Sequence, residues 1–303
     1  MAEDSFRRLL VVVCDLNPIW WGKESTNVSG NSDQVQPINA FLNNVLVFCN
    51  AYLMMKHTNE VAILGATSFK SQYIYPSSED SEQVVEQNHE KNDGKYEHFA
   101  AMNNDVVNRV KKLIEEEGSN DVNVSENSAT LLAGALSMAL CYIKQAERNC
   151  PVGQSLKARL LVLKGSPDFS TQYMATMNCI FAAQKNNITI DSCLLKSDSG
   201  FLQQASDITG GVYFKVMKME SLLQYLLWMF LPDSSTREGL VMPKAVQIDY
   251  RAACFCHRTL VNIGFVCSVC LSIYCQLLPR CHTCQTRFKL PSAAMARPKK
   301  KKK

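Results

Sequence analysis

The run Leu9-Leu10-Val11-Val12-Val13-Cys14-Asp15 decides the fold, because it is continuously apolar, rich in β-branched residues and ends in an aspartate. Central strands of parallel sheets, which are buried on both faces, have this composition. Asn17-Pro18 and Gly22 break the apolar pattern, and polar residues continue to Gln36. We therefore predict a central strand followed by a loop above the sheet.

Strand and helix patterns alternate along the chain as far as Pro232. Five further strands are predicted, and the second of them is a short edge strand: Val61–Ala66, Gln72–Tyr75, Arg159–Lys164, Ile188–Leu195 and Val212–Val216. Six helices are predicted, the third with Ser128 as its N-cap: Pro37–Lys56, Tyr96–Glu117, Ser128–Glu147, Ser170–Lys185, Phe201–Asp207 and Glu220–Leu231. This alternation with short connections predicts a doubly wound, mostly parallel α/β sheet.

Composition divides the rest of the chain. Residues 77–95 are rich in Ser, Glu, Gln and Asn and poor in large apolar residues, so we expect a disordered insertion there. The sequence predicts one large domain over residues 1–232, a linker over 233–247, a zinc-finger module over 248–290 and a basic disordered tail over 291–303.

Seven of the thirteen cysteines lie between Cys254 and Cys284. Cys267/Cys270 and Cys281/Cys284 form two Cys-x2-Cys pairs with ten residues between them. Two such pairs supply the four sulfurs of a closed tetrahedral Zn²⁺ site. Because a closed site has no position for water, we interpret it as structural, with zinc binding supplying folding free energy to a short segment.

The remaining candidate ligands are Cys254, Cys256, His257 and Cys275. A cross-braced, RING-like arrangement would join the first ligand pair to the third and the second to the fourth. The third pair is incomplete, because the residues after Cys275 offer no ligand. A second zinc site therefore needs both Cys256 and His257, and one zinc or two remain open.

Positive charge is concentrated at the carboxyl end of the chain. The net charge is +4, but without Arg297 and Lys299–Lys303 it is −2, so charge balance does not support a broad nucleic-acid groove. We interpret the basic tail as a nuclear-import signal, or else as a nonspecific phosphate-binding arm. The polar amino terminus and the shortness of the apolar runs predict a soluble intracellular protein with no membrane association.

Known catalytic motifs are missing from the sequence. It contains no Gly-x-Gly-x-x-Gly after a strand, no phosphate-cradling Gly-Lys-Ser/Thr and no Gly-x-Ser-x-Gly elbow. Ligands of doubly wound sheets bind at the carboxyl ends of the strands, where Asp15 lies. We therefore expect no catalytic residues and no enzyme activity.

At Asp15 the chain resembles the von Willebrand A-domain family. That family's metal-ion-dependent adhesion site has Asp-x-Ser-x-Ser after the first strand, a threonine before the third main helix and an aspartate after the fourth strand. Here Asn17 and Ile19 replace both serines, Thr130 fits the second position, and Lys164 stands near the third. Because an ammonium group repels Mg²⁺, we expect a metal-free site in which Asp15 pairs with Lys164 or with backbone amides.

Two aromatic groups have open interpretations. Trp20-Trp21, in the loop above the sheet, either anchors a partner or packs against the loop's own helix. Tyr225, Trp228 and Phe230 on the last helix are expected in the core, with a docking surface as the minority hypothesis.

The combined features are similar to one family, the smaller A-domain/zinc-finger core subunits of the general transcription and DNA repair factor TFIIH. The residues that carry this resemblance are the degraded metal site, 17–22, 207–211, and 249–257 leading into 266–270. The resemblance implies a non-catalytic nuclear scaffold that pairs with the larger A-domain/RING subunit. It also implies a role in holding the helicases used in RNA polymerase II transcription initiation and nucleotide excision repair.

Two rival hypotheses remain open. A RING-type ubiquitin ligase would need two filled zinc sites and an apolar groove, and the missing ligand beside Cys275 weighs against it. A zinc-dependent DNA-binding module would use the lysine tail, and direct DNA contact is left open by the sequence.

Overall fold

The computed structural model describes residues 6–28, 36–76, 95–118, 129–151, 153–243, 248, 250–252, 254–257 and 259–288. They belong to two units, Met1–Ile248 and Asp249–Lys303. The predicted insertion at residues 77–95 lies outside the described residues except for Lys95, which begins a helix. The basic tail also lies outside them.

A six-stranded sheet organises the first unit. Its strands are β1 Phe6–Asp15, β2 Asn59–Ala66, β3 Ser71–Tyr75, β4 Ser155–Lys164, β5 Thr189–Leu194 and β6 Tyr213–Lys215. The spatial order is β3-β2-β1-β4-β5-β6, and only the edge strand β3 is antiparallel to its neighbour. The prediction of a doubly wound, mostly parallel sheet with β1 at its centre is confirmed.

Helices cover both faces of the sheet. They are α1 Pro18–Val28, α2 Pro37–Met55, α3 Lys95–Gly118, α4 Leu132–Arg148, α5 Tyr173–Lys185, α6 Gly200–Thr209, α7 Leu222–Tyr225, which continues as a π-helix over Leu226–Phe230, and α8 Ser234–Arg237. One set of β1 side chains, Leu10, Val12 and Cys14, packs in a core with α2, α3 and the last helix. The alternate set, Leu9, Val11 and Val13, is equally buried, so both faces of β1 are covered as its composition requires.

Helix α1 contradicts the predicted loop. Pro18 occupies its first position, where the missing amide hydrogen costs nothing. The Asn17 side-chain oxygen accepts hydrogen bonds from the backbone N–H groups of Ile19 at 3.0 Å and Trp20 at 3.4 Å. Asn17-Pro18 is therefore a helix start rather than a break, and the polar composition of the helix hid its periodicity.

The predicted cap of α4 is also wrong. The helix begins at Leu132, so Leu131 holds the N-cap position and makes no side-chain capping bond. Ser128 lies outside the described residues. The backbone N–H of Leu131 instead donates to Thr67 O at 2.8 Å, which fixes the start of the helix against the β2–β3 turn.

Helix α2 is long and apolar enough to cross a membrane by length and composition alone. Seven of its side chains, however, are buried in the unit: Phe41, Leu42, Val45, Leu46, Phe48, Cys49 and Tyr52. The buried stripe identifies a core helix of the α/β unit.

The segment predicted as a linker contains the helical turn α8. Arg237 on this turn is buried and donates to both carboxylate oxygens of Asp191 on β5, at 2.9 and 2.7 Å. Arg159 on β4 lies 3.6 Å from the same carboxylate and donates to Pro232 O and Phe230 O. These ion pairs fix the end of the last helix and the following turn to the sheet.

Regular structure in the second unit is sparse among its described residues. Strands β7 Phe265–Val266 and β8 Ile273–Tyr274 pair in antiparallel fashion. The buried cluster consists of Cys267, Tyr274 and Cys281, with Phe255, Leu278 and Phe288 among the residues packed on it. So small a core needs an additional source of stability.

Candidate metal centres and the carboxyl edge of the sheet

The eight predicted ligands lie in two separate groups of four. Within each group the ligand atoms are all within 4.8 Å of one another, close enough to hold a metal ion. The first group is Cys267, Cys270, Cys281 and Cys284, and the second is Cys254, Cys256, His257 and Cys275. The second ligand pair thus meets the fourth, and the first meets Cys275, in the cross-braced order.

The two Cys-x2-Cys turns have the same backbone construction. In each, the N–H of the first cysteine donates to a carbonyl five residues on, Ser272 O or Thr286 O, at 2.9 Å. The residue after the second cysteine is left-handed, with φ of 59° at Leu271 and 64° at Gln285. These turns bring Cys267 Sγ within 3.7 Å of Cys284 Sγ and Cys270 Sγ within 3.5 Å of Cys281 Sγ.

Cys254 and His257, both predicted as candidate ligands, form a third turn of the same kind, and this turn was not predicted. The N–H of Cys254 donates to Thr259 O at 2.9 Å, again five residues on. The N–H of His257 donates to Cys254 Sγ at 3.4 Å, as that of Cys284 does to Cys281 Sγ at 3.5 Å. The Cys-x2-His spacing was the available signal.

Cys256 and Cys275 complete the second group. Cys256 Sγ lies 3.4 Å from Cys275 Sγ, and His257 Nδ1 lies 3.2 Å from each of these sulfurs. No described residue after Cys275 contributes a ligand to this group, and the group reaches four ligands because the consecutive residues Cys256 and His257 both join it. The group therefore offers three thiols and one imidazole.

Tyr274 supports the first group from behind. Its buried hydroxyl lies 3.1 Å from Cys281 Sγ and accepts the N–H groups of His282 at 3.1 Å and Thr283 at 3.3 Å. Burial acts to raise the pKa of Cys281, but hydrogen bonds from the Cys284 N–H and the Tyr274 hydroxyl outweigh it and lower the pKa to about 5. A thiolate, the form that binds metal, is thus favoured there.

One thiol in the second group, that of Cys254, also has a lowered pKa. Burial acts to raise the pKa of Cys254, but hydrogen bonds from Thr259 and from the His257 backbone lower it to about 5. The neighbouring Cys256 raises the pKa of Cys275 to about 11. The second group therefore combines a thiol that ionises readily, Cys254, with one that resists ionising beside it, Cys275, an arrangement that a cation relieves.

Asp15 lies at the carboxyl edge of the sheet and is buried. Its Oδ2 accepts the Ser166 hydroxyl, the Ser166 N–H at 2.9 Å and the Gly165 N–H at 3.3 Å. Its Oδ1 accepts Thr130 Oγ1 at 3.0 Å and the Asn17 N–H at 3.2 Å. Five donors occupy the lone pairs that a divalent cation would need.

Lys164 does not pair with Asp15, so that alternative in the prediction is wrong. Its ammonium group pairs with Asp168, which also accepts the Ser199 hydroxyl at 2.7 Å. The backbone amides named in the other alternative do bind Asp15, through Gly165 and Ser166. Ser166 was not among the predicted residues, and only its place two residues after Lys164 could have suggested it.

The tandem tryptophans pack within their own unit. Trp21 is buried, stacks on Phe41 at a centroid distance of 5.0 Å and donates its Nε1–H to Asp15 O at 2.9 Å. The Trp20 ring lies edge-on to Trp21 and directly over Gly165, where an added Cβ would be 2.4 Å from ring atoms. Packing on the adjoining helix is confirmed for Trp21, which contacts Phe41 of α2, whereas Trp20 packs on Trp21 and Gly165.

The core prediction for the last helix is correct for Phe230 and wrong for Trp228. Phe230 is fully buried, and Tyr225 packs on Phe214 at 4.6 Å. Trp228 is 67% exposed, because Leu222, Leu226 and Met229 occupy the inward side of the helix and Trp228 falls opposite them.

Comparison with known proteins gives one consistent family. A family model described as "Transcription factor Tfb4" matches residues 7–285. The Schizosaccharomyces pombe protein "General transcription and DNA repair factor IIH subunit tfb4" is 40% identical over 280 residues, which cover 92% of this chain and 88% of that protein. The Arabidopsis thaliana protein of the corresponding name is 37% identical, covering 97% and 94%.

A solved structure matches the first unit. The crystal structure of the TFIIH p34 N-terminal domain is 29% identical with a TM-score of 0.60 and covers 74% of this chain and 98% of that domain. This match agrees with the doubly wound, mostly parallel sheet of the first unit.

Proposed function

The chain belongs to the Tfb4 transcription factor family, whose members are named as subunits of factor IIH in transcription and DNA repair, and from that premise we propose that it is a non-catalytic scaffold of the TFIIH core. The observation that carries this proposal is the construction of its two conspicuous sites. Both cysteine groups offer four protein ligands, and Asp15 is closed by five hydrogen-bond donors. Sites of both kinds hold structure rather than substrate.

Zn²⁺ is the metal that fits both groups. Tetrahedral zinc with bonds of about 2.3 Å to sulfur requires sulfur–sulfur edges of about 3.8 Å. The separations of 3.7 and 3.5 Å in the first group approach this value, as does the 3.4 Å between Cys256 and Cys275. Cys₄ and Cys₃His ligand sets favour zinc over Mg²⁺ or Ca²⁺. Zinc there would supply folding free energy and no open coordination position.

The partner in this proposal is the larger A-domain/RING subunit, and through it the helicases of the complex. Membership of a multi-subunit factor supports this choice, together with a second unit that exposes aliphatic side chains around its metal groups. Ile263 is 81%, Val266 58%, Val269 64% and Leu271 70% exposed. Exposed aliphatic groups suit contact with protein. Nuclear localisation follows from the role in transcription, and the basic tail supports it.

A RING-type ubiquitin ligase remains a second candidate, because the second group has four ligands after all. Autoubiquitination with a panel of conjugating enzymes separates the two functions. Polyubiquitin formation that is lost in Cys267→Ser would replace the scaffold proposal.

DNA binding by the second unit is a third candidate, favoured by one fact: no aspartate or glutamate occurs from Tyr250 to Lys303. Direct binding would weaken steeply with salt and with deletion of Lys299–Lys303. The scaffold proposal expects little DNA affinity from the chain at physiological salt, measured by fluorescence anisotropy of labelled duplex.

A tagged pull-down from nuclear extract tests the proposal itself. We expect recovery of the larger A-domain subunit and the two helicases at near-equal stoichiometry, with zinc counted in the same sample. Cys267→Ser should weaken this recovery, whereas Cys141→Ser, an exposed cysteine outside both groups, should leave it unchanged. Full recovery by Cys267→Ser with reduced zinc would show that the metal module does not contribute to assembly.

A further inference from the structure

Two helices on one face of the first unit carry no charged residue. Helix α2 has none in its 19 residues, and the last helix has none from Leu222 to Phe230. The chain as a whole is 20% charged, so several would be expected over these lengths. The two helices pack against each other, so the surface that these two helices contribute, here called the uncharged face, has no charged side chain of theirs.

This face is exposed rather than covered within the described residues of the unit. On α2 the exposed positions Asn39, Asn43, Val47 and Met54 recur at helical spacing, opposite the buried stripe. Val47 is 47% and Met54 63% exposed. On the neighbouring helix Trp228 projects outward and is 67% exposed.

We propose that this uncharged face, Pro37–Met55 with Leu222–Phe230, is a docking surface for another protein subunit, with Trp228 inserted in an uncharged apolar pocket of that partner. The inference rests on the proposed function, because it assigns the surface by which a TFIIH subunit contacts its complex. Exposed tryptophan is the residue type most enriched in interface hot spots. The partner surface must itself lack charge, since a charged group desolvated against this face would find no counter-ion.

Charge excludes nucleic acid from this face, and hydrogen bonding excludes lipid. Nucleic acid needs cations for its phosphates, and neither helix offers one. A lipid surface would bury Asn39 and Asn43, which lie on the same outward stripe as Val47, without hydrogen-bond partners. A protein partner satisfies both the amide and the apolar side chains.

The test titrates the purified full chain onto the other TFIIH core subunits, which are co-expressed with one another and immobilised. Trp228→Gln should weaken assembly at least tenfold, measured as the chain concentration that gives half-maximal capture by the immobilised subunits. The matched control is Phe181→Gln, an apolar side chain that is 52% exposed on α5, and it should leave assembly unchanged. Both variants should keep the wild-type melting temperature, because neither side chain is buried.

Amide hydrogen exchange of the wild-type complex gives a readout independent of mutation. Residues 37–55 and 222–230 should gain protection on assembly. Equal assembly by Trp228→Gln with no such protection would overturn the docking surface and leave the scaffold function intact.

Failure of the wild-type chain to assemble would overturn the scaffold function and the docking surface together. Two further outcomes would overturn the partner class: Trp228-dependent binding to neutral phosphatidylcholine vesicles, and a Trp228-dependent dimer of the chain alone by light scattering.

Discussion

Ser166 donates two hydrogen bonds to one oxygen of Asp15, one from its hydroxyl and one from its backbone N–H at 2.9 Å. Thr130 lies 3.0 Å from both residues. These side chains come together although 151 positions separate Asp15 from Ser166. Hydrogen bonds thus occupy, at this edge of the sheet, the carboxylate oxygens that a divalent cation would need as ligands.

Loss of the Ser166 hydroxyl should therefore destabilise the first unit. Hydrogen bonds to charged groups contribute about 1.5–3 kcal/mol each, so Ser166→Ala should lower the free energy of unfolding by about 2 kcal/mol. Urea denaturation followed by circular dichroism measures it, with the exposed Ser235→Ala as the control. Equal stability of the two variants would mean that the hydroxyl is not needed to hold the Asp15 side chain in place.

Magnesium should not stabilise the wild-type protein. A ligand that binds the native state at a hundred times its Kd would add about 2.7 kcal/mol, whereas a saturated Asp15 offers no lone pair. Melting curves in the presence and absence of millimolar MgCl₂ should coincide. A rise in melting temperature that Asp15→Asn abolishes would show that the cation displaces the hydrogen bonds.

Arg237→Met should be more damaging than an ordinary surface change. It leaves the fully buried carboxylate of Asp191 without its bidentate partner, and breaking a buried pair in this way costs about 3–5 kcal/mol. Arg159 at 3.6 Å compensates in part, so the lower end is expected. Arg148→Met, at an exposed arginine, is the control for denaturant unfolding, and a difference under 1 kcal/mol would refute the estimate.

Gly165→Ala should be destabilising because of the Trp20 ring. The new methyl group would lie 2.4 Å from ring atoms, and overpacking of this kind costs about 1–3 kcal/mol. Gly22→Ala is the matched control, since nothing lies within 4 Å of a Cβ there and alanine favours helix α1 by about 1 kcal/mol. Thermal melts should move in opposite directions, and a parallel shift would contradict the packing of Trp20.

Zinc should number two per chain, and its removal should unfold only the second unit. Cys267→Ser and Cys254→Ser should each lose at least one equivalent, because the two groups share no ligand. Zinc content by mass spectrometry, with circular dichroism before and after EDTA, tests this, with Cys141→Ser as the control. One zinc in the wild-type protein that Cys254→Ser retains would restrict the metal to the first group.

The strands and the first ligand group were predicted from local sequence patterns. Continuous apolar runs predicted the strands, since burial on both faces leaves no polar position. The Cys-x2-Cys spacing predicted the first ligand group, because two thiolates on one turn are set by local backbone geometry. Helix α1 was not predicted because its polar composition conceals the helical periodicity of apolar residues, although Asn17-Pro18 is itself a helix-start signal.

By itself the sequence determined the order of the six strands and of the helices other than α1 and α8 in the first unit, together with the candidate ligands, because these depend on residues a few positions apart. Only the tertiary structure decided that Ser166 rather than Lys164 binds Asp15, that Cys256 and His257 both join Cys275, and that Trp228 faces outward. The physical reason is that hydrogen-bond partners, complete ligand sets and burial depend on which distant segments pack together. The periodicity of a short stretch of sequence does not specify those contacts.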